Sequence, residues 1–261
     1  MRTRSMGRYI SLSISRRFVC DMMDFSREIP LIPFERRMQL AELVAARNCC
    51  SIKPSWCGIF TKALAIVGQR IPVFRRAYLK FPRPRLYEHP YSVACVVIER
   101  DVLGDLGVIF CLIRKPHELP LTEIDGRILM YQKDPLNKHG TTRKIVRVSK
   151  LPRWLRHLGW WYQLNCDGTI RAYNSGTYGV SVTAGHGATA LSLETPLTST
   201  LHYGIFEADG SLACRMTFDH RVMDGGDMAR ILVELESVLR TEMLAEVKSL
   251  VEMNPPVSSS A

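Results

Sequence analysis

Apolar positions recur along this chain with two periods, and the switches between them mark its elements. In WCGIFTKALAIVGQR (56–70), Ile59, Ala63, Ile66 and Val67 repeat at helical spacing. The segment is apolar nearly all round, which predicts a helix buried against a sheet. Residues 36–47, with Met38, Leu40, Leu43 and Val44, predict another helix. The texture then changes. YSVACVVIE (91–99) and DLGVIFCLI (105–113) are β-branched runs around a short charged, glycine-bearing turn, and they predict a hairpin of buried strands. ELPLTEIDGRILMYQ predicts a helix opening near Pro120, and 151–164 a tryptophan-rich one. Three more strands are expected near 176–183, 200–207 and 212–218, and a last helix from Asp227 to Leu250.

The last strand is the clearest. Leu212, Cys214, Met216 and Phe218 alternate with Ala213, Arg215 and Thr217, so one face is buried. In the last helix Met228, Ile231, Leu232, Leu235, Val238 and Leu239 form one stripe. Helices interspersed with sequence-adjacent strands, without strict βαβ alternation, predict an α/β two-layer sandwich: a mixed β-sheet covered by helices. We expect an N-terminal arm (1–9), a single domain (10–250) and a disordered tail (251–261) ending NPPVSSSA.

Composition narrows the partners. An apolar fraction of 46% and a charged fraction of 23% are those of a globular chain, and no apolar run is long enough for a membrane span. The formal charge of +10 is dispersed in short clusters such as Arg36-Arg37 and Arg75-Arg76. That pattern reads first as solvated surface. Its functional reading is attraction of a polyanion, such as the phosphates of coenzyme A or an acidic carrier protein. No zinc-finger, RNP or basic-zipper pattern points to nucleic acid. None of the eight cysteines forms C-x-x-C, so we expect free thiols in a reducing cytoplasm and no metal site. The N-terminus is Arg- and Ser-rich like an organellar transit peptide. However, Ile10, Ile14, Phe18 and Val19 make a helical stripe that predicts docking on the domain.

The stretch MTFDHRVMDGGDMARIL (216–232) places His220 and Asp224 where a strand pattern gives way to a helix pattern. FDHRVMDG resembles the signature of the catalytic domain of the 2-oxo acid dehydrogenase acyltransferases, and the shorter H-x-x-x-D-G is shared with chloramphenicol acetyltransferase. ISRRFVCDM, FTKALAIVGQRIPVFRRAY, the 91–113 hairpin and GTYGVSV are similar to further segments of that family, in the same order. The resemblance covers about residues 10–245 and implies a chloramphenicol acetyltransferase-like fold. It implies His220 as general base through Nε2, suited by a pKa near neutrality, and Ser181 as hydroxyl donor to the oxyanion. Asp224 would hold the architecture, with Arg16 or Arg17 as partner, or cap the last helix. Gly225 would allow a tight turn. Arg221 would support the site, and Thr183 is the nearest competitor of Ser181. His186 and His202 are expected in core or surface roles, and Trp154, Trp160 and Trp161 in the core or a subunit contact.

No lipoyl domain, binding domain or Ala/Pro-rich linker precedes the resemblance, so a covalently bound lipoyl group is not expected. The reading is a free-standing cytoplasmic acyltransferase, a homotrimer by family analogy, with His220 of one subunit facing Ser181 of the next. Coenzyme A or carrier-protein thioesters are the expected donors, and a hydroxyl or thiol the acceptor. The alternatives are a lipoamide-dependent subunit of a 2-oxo acid dehydrogenase-type complex and a non-catalytic oligomeric scaffold of the same fold.

Overall fold

The structure is a computed structural model describing residues 7–181, 188 and 190–253. Its centre is a mixed sheet of six strands: β1 (Leu31–Gln39), β4 (Val93–Asp101), β5 (Leu106–Arg114), β6 (Tyr178–Val180), β7 (Ser199–Tyr203) and β8 (Ser211–Asp219). Their order is β1-β8-β7-β6-β4-β5. The β4–β6 and β6–β7 pairs are parallel and the others antiparallel. A separate hairpin joins β2 (Arg76–Leu79) to β3 (Arg85–Glu88).

The two faces of the sheet are packed differently, and period-two alternation shows how. On one face Ile109, Cys111, Ile113, Tyr178, Val180 and Leu201 are buried in the main core. They pack under α3 (Trp56–Arg70), α4 (Leu121–Lys133) and α8 (Gly225–Val238). From α8 the chain runs through a π turn, Leu239–Met243, into α9 (Leu244–Met253), which lies against α2 (Ala41–Asn48). On the opposite face Val108, Phe110 and Leu112 are only half-buried. Four helices arch over them: α1 (Ile14–Ser26), α5 (Gly140–Ser149), α6 (Arg153–Asn165) and α7 (Gly168–Ser175). They border a half-open chamber of about 950 Å³ against the sheet.

The expected helix at 36–47 needs correction. Residues up to Gln39 belong to β1, and the helix begins at Ala41. The alternation runs Ile32, Phe34, Arg36, Met38, and Arg36 occupies an inward position because its Nε donates to Glu236 Oε2 of α8 at 2.7 Å. A charged residue in an apolar register concealed the strand. Arg75, read as part of a solvated cluster, is buried, its Nε donating to the Gly68 carbonyl at 2.6 Å. The last helix starts two residues earlier than expected, at Gly225. The stripe at the N-terminus is helical from Ile14, and Phe18 meets the rings of Phe110 and Trp160. Ile10 lies before the helix and is exposed.

Candidate active site

His220 follows the last residue of β8, and its position is set by its neighbours in the motif. Asp219 is wholly buried. Its carboxylate accepts from the Arg221 backbone N–H at 3.0 Å and from the Arg221 guanidinium at 2.9 and 2.8 Å. That guanidinium also lies over the Tyr78 ring, 4.5 Å from its centroid. The two residues flanking His220 are therefore locked to each other, and the His220 backbone N–H is tied to the Pro30 carbonyl at 3.1 Å. The imidazole packs edge-on against Phe218. Its Nδ1 lies 3.2 Å from the Met223 carbonyl oxygen and 3.4 Å from Asp224 Oδ1. A carbonyl oxygen only accepts, so Nδ1 carries the proton of the neutral ring and Nε2 keeps its lone pair. The side chain is 49% exposed in the single chain.

Ser181 stands just beyond β6, its N–H donating to the Leu201 carbonyl at 3.0 Å. It lines the chamber together with Gly179 and Thr200 of the same sheet face. A Cβ at Gly179 would lie 2.8 Å from Thr200 Oγ1 and 3.0 Å from Leu197 Cδ1, so only glycine fits there. His202 is 2% exposed and does more than fill the core. Its Nδ1 donates to the Ser181 carbonyl at 2.7 Å, and its Nε2 accepts from the Ala190 N–H at 3.0 Å. Burial holds its pKa below the ordinary histidine value, which keeps the ring neutral and able to make both bonds. No motif marks His202 in the sequence. The only signal was a polar residue between Leu201 and Tyr203, the two apolar positions of β7.

The chamber includes Ser181 but not His220 among its lining residues. Ser181 is level with Arg215 of β8 through His202, so His220 stands two strands across and five residues along from it, roughly 19 Å at ordinary strand dimensions. Thr183 and His186 lie outside the described residues.

Two expectations change. Asp224 does not pair with Arg16 or Arg17 among the described residues. It is the N-cap of α8, its side chain is 84% exposed, and its ion-pair partner is His220. Arg16 lines the chamber, and Arg17 Nε donates to the Leu12 carbonyl at 3.2 Å. The cause is topological. Helix α1 packs at β5, four strands from β8, roughly 19 Å at strand spacing. Gly225 does not adopt the left-handed backbone of a glycine turn. It is glycine because a Cβ would approach Phe34 Cζ to 2.9 Å. Trp160 takes the expected packed role between Phe18 and Phe25, and Trp154 and Trp161 are exposed in the single chain. Asp21, Asp24 and His157 bring potential ligand atoms together within 4.8 Å, but Arg156 and Arg153 already engage the two carboxylates. This is an ion-pair network.

No family model and no curated protein matches the chain by sequence. Solved structures do match. The dihydrolipoamide acetyltransferase of Azotobacter vinelandii aligns over 94% of this chain and 95% of its own, with TM-score 0.66 and 17% identity. That structure probed a serine, a histidine and an asparagine in its own catalytic mechanism. The fold is that of an acetyltransferase catalytic core. Two further structures share this core fold. A probable dihydrolipoamide acetyltransferase of Listeria monocytogenes covers 98% of both chains at TM-score 0.60 and 17% identity. A truncated catalytic core of the Thermoplasma acidophilum 2-oxoacid dehydrogenase complex covers 90% of this chain and 99% of its own, at TM-score 0.63 and 16% identity. The expected mixed sheet covered by helices is thus the observed architecture. Among the described residues no helix is long and apolar enough to cross a membrane.

Proposed function

We propose that this chain is an acyltransferase that moves an acyl group from a coenzyme A or carrier-protein thioester to a hydroxyl or thiol acceptor. The observation that carries the reading is the state of His220: Nδ1 is committed to the Met223 carbonyl and Nε2 is left basic, at the end of β8 in an acetyltransferase-core fold. Nε2 takes the proton of the acceptor as its oxygen or sulfur attacks the thioester carbonyl. The oxyanion that forms accepts a hydrogen bond from the Ser181 hydroxyl. Collapse of the tetrahedral intermediate breaks the carbon–sulfur bond, and the imidazolium returns the proton to the departing thiol.

The half-exposure of His220 and the separate chamber at Ser181 support a complete site formed between two copies, with His220 of one meeting Ser181 of the next. A trimer is the assembly that fits this reading. The dispersed charge of +10 suits a donor carrying phosphates or an acidic carrier. Dihydrolipoamide is the second acceptor reading, favoured by the names of the structural neighbours.

The test is mass-spectrometric screening of acyl-coenzyme A donors against hydroxyl and thiol acceptors, free dihydrolipoamide included, with His220→Ala as control. Acyl product that disappears in His220→Ala supports the reading. Absence of product across the panel overturns it in favour of a non-catalytic scaffold, and product indifferent to His220→Ala overturns the assignment of His220 as the base.

A further inference from the structure

The chamber behind Ser181 is far larger than an acetyl group needs. At about 950 Å³ it stands at the top of the roughly 300–1,000 Å³ range of small-molecule sites. Its lining is unusual for an interior. Along β5, Ile109, Cys111 and Ile113 are buried in the core, while the intervening Val108, Phe110 and Leu112 are half-buried against empty space. Phe18 of α1 and Trp160 of α6 close the same space from above. Apolar surface left unfilled inside a fold is unfavourable unless a ligand covers it.

Charge on the lining is one-sided. Arg16, Arg114, Lys144 and Arg156 border the chamber, against Glu194 as the one acid among the described residues of its lining. Arg156 is neutralised by Asp21 at 2.6 Å. Arg114 and Lys144 are exposed and adjoin the same helix: the guanidinium of Arg114 lies over the Tyr173 ring at 4.3 Å, and Lys144 Nζ donates to Asn174 Oδ1 at 2.7 Å. Among the described residues neither has a carboxylate partner within ion-pair distance. Register gives the spacing to the reaction. Arg114 pairs with Val93, and Val96 pairs with Val180, so Ser181 is level with Val97. Four residues along the strands and two strands across separate Arg114 from Ser181, roughly 16 Å at ordinary strand dimensions.

We infer that the chamber binds an amphipathic acid. Its anionic group meets Arg114 and Lys144, and its long apolar chain lies along Leu112, Phe110 and Val108 beneath Phe18 and Trp160. This deepens the proposed acyl transfer by naming the acceptor class, an apolar acid whose hydroxyl or thiol sits well away from its acid group, within reach of Ser181. Binding itself requires no transfer, so the two can fail separately.

The experiment uses the full chain and saturated fatty acids from hexanoate to palmitate as probes, measured by calorimetry and by displacement of a fluorescent fatty acid. The expected result is saturable binding that tightens by up to about fourfold per added methylene. Fatty alcohols of the same length should bind several-fold more weakly. Val108→Trp and, separately, Val97→Phe fill the chamber and should each weaken palmitate binding at least tenfold with unchanged circular dichroism. Arg114→Gln with Lys144→Gln should erase the preference for acid over alcohol. His220→Ala, outside the chamber, should bind palmitate as the parent does even where it abolishes transfer. Absence of saturable binding overturns the inference, as does full binding by both filled variants or an equal affinity for acid and alcohol.

Discussion

The Nδ1 of His220 and the carbonyl oxygen of Met223 are 3.2 Å apart, and this single contact decides which nitrogen can act as a base. The ring cannot donate from Nε2 and accept at Nδ1 while facing a carbonyl. Nitrogen NMR of the neutral protein should therefore show the Nδ1–H tautomer at His220. His220→Ala should lower acyl transfer by about 10²–10⁴-fold, the usual contribution of a general base, while thermal unfolding stays near the parent value. An Nε2–H tautomer would remove the base from the proposed mechanism.

Asp219 and Arg221 should matter for stability before they matter for chemistry. The carboxylate is wholly buried and receives three hydrogen bonds from Arg221, whose own side chain is 22% exposed. Removing one partner of such a pair strands the other charge. Asp219→Ala should cost about 3–5 kcal/mol, and replacing both partners with apolar residues should cost less than the single change. Urea denaturation of the two variants gives the comparison directly. An equal loss in both would mean that the pair contributes no more than its packing.

Much of this architecture was readable because the core-facing positions of β8, and most of those of α3 and α8, are apolar. What stayed hidden was polar for a tertiary reason. Arg36 breaks the alternation of β1 because its partner, Glu236, lies 200 residues away. His202 sits among apolar neighbours because it joins Ser181 to Ala190, a relationship visible only once β6 and β7 are paired. In the motif itself, His220 and Asp224 stood out by spacing. Asp219 and Arg221 passed as ordinary letters, although they hold the turn. Pairing Asp224 with Arg16 or Arg17 required the strand order, which places α1 at the far edge of the sheet.

Gly225 and Phe34 offer a test of why glycine stands in the motif. A methyl group at Gly225 meets Phe34 Cζ at 2.9 Å, with no left-handed backbone to maintain. Gly225→Ala should therefore destabilise by about 1–3 kcal/mol through overpacking. Combining it with Phe34→Leu should recover part of that loss. Were the backbone conformation the true constraint, the second substitution would only add to the damage.

Thiol reactivity should divide the cysteines sharply. Burial pushes the Cys57 and Cys111 thiols up to about 12 and raises Cys95 and Cys214 as well. Cys20 and Cys49 are exposed. Iodoacetamide at pH 8 followed by peptide mass spectrometry should label Cys20 and Cys49 in the native protein, and the buried thiols Cys95, Cys111 and Cys214 only after unfolding. Rapid native labelling of Cys214 would show that the face beneath α8 opens.

Acid should weaken the fold through His202. Burial lowers its pKa in the folded chain, whereas the unfolded chain protonates it near the ordinary value of about 6.5. Below that pH the unfolded state takes up a proton that the folded state refuses, so stability is complete above about pH 6.5 and falls as the pH drops toward the depressed folded value. His89 and His117, also lowered by burial, act in the same direction. His202→Phe removes one of these contributions and should flatten the fall between pH 6.5 and 5. At pH 8 the same variant should be less stable by about 1–3 kcal/mol, because the Ser181 carbonyl and the Ala190 N–H lose their shared partner. His202→Gln, which retains a donor and an acceptor, should recover part of the stability at pH 8 and still show the flattened acid response. That split separates the loss of hydrogen bonds from the loss of a titrating group, and an unchanged acid response in both variants would mean that His202 is not the residue that titrates.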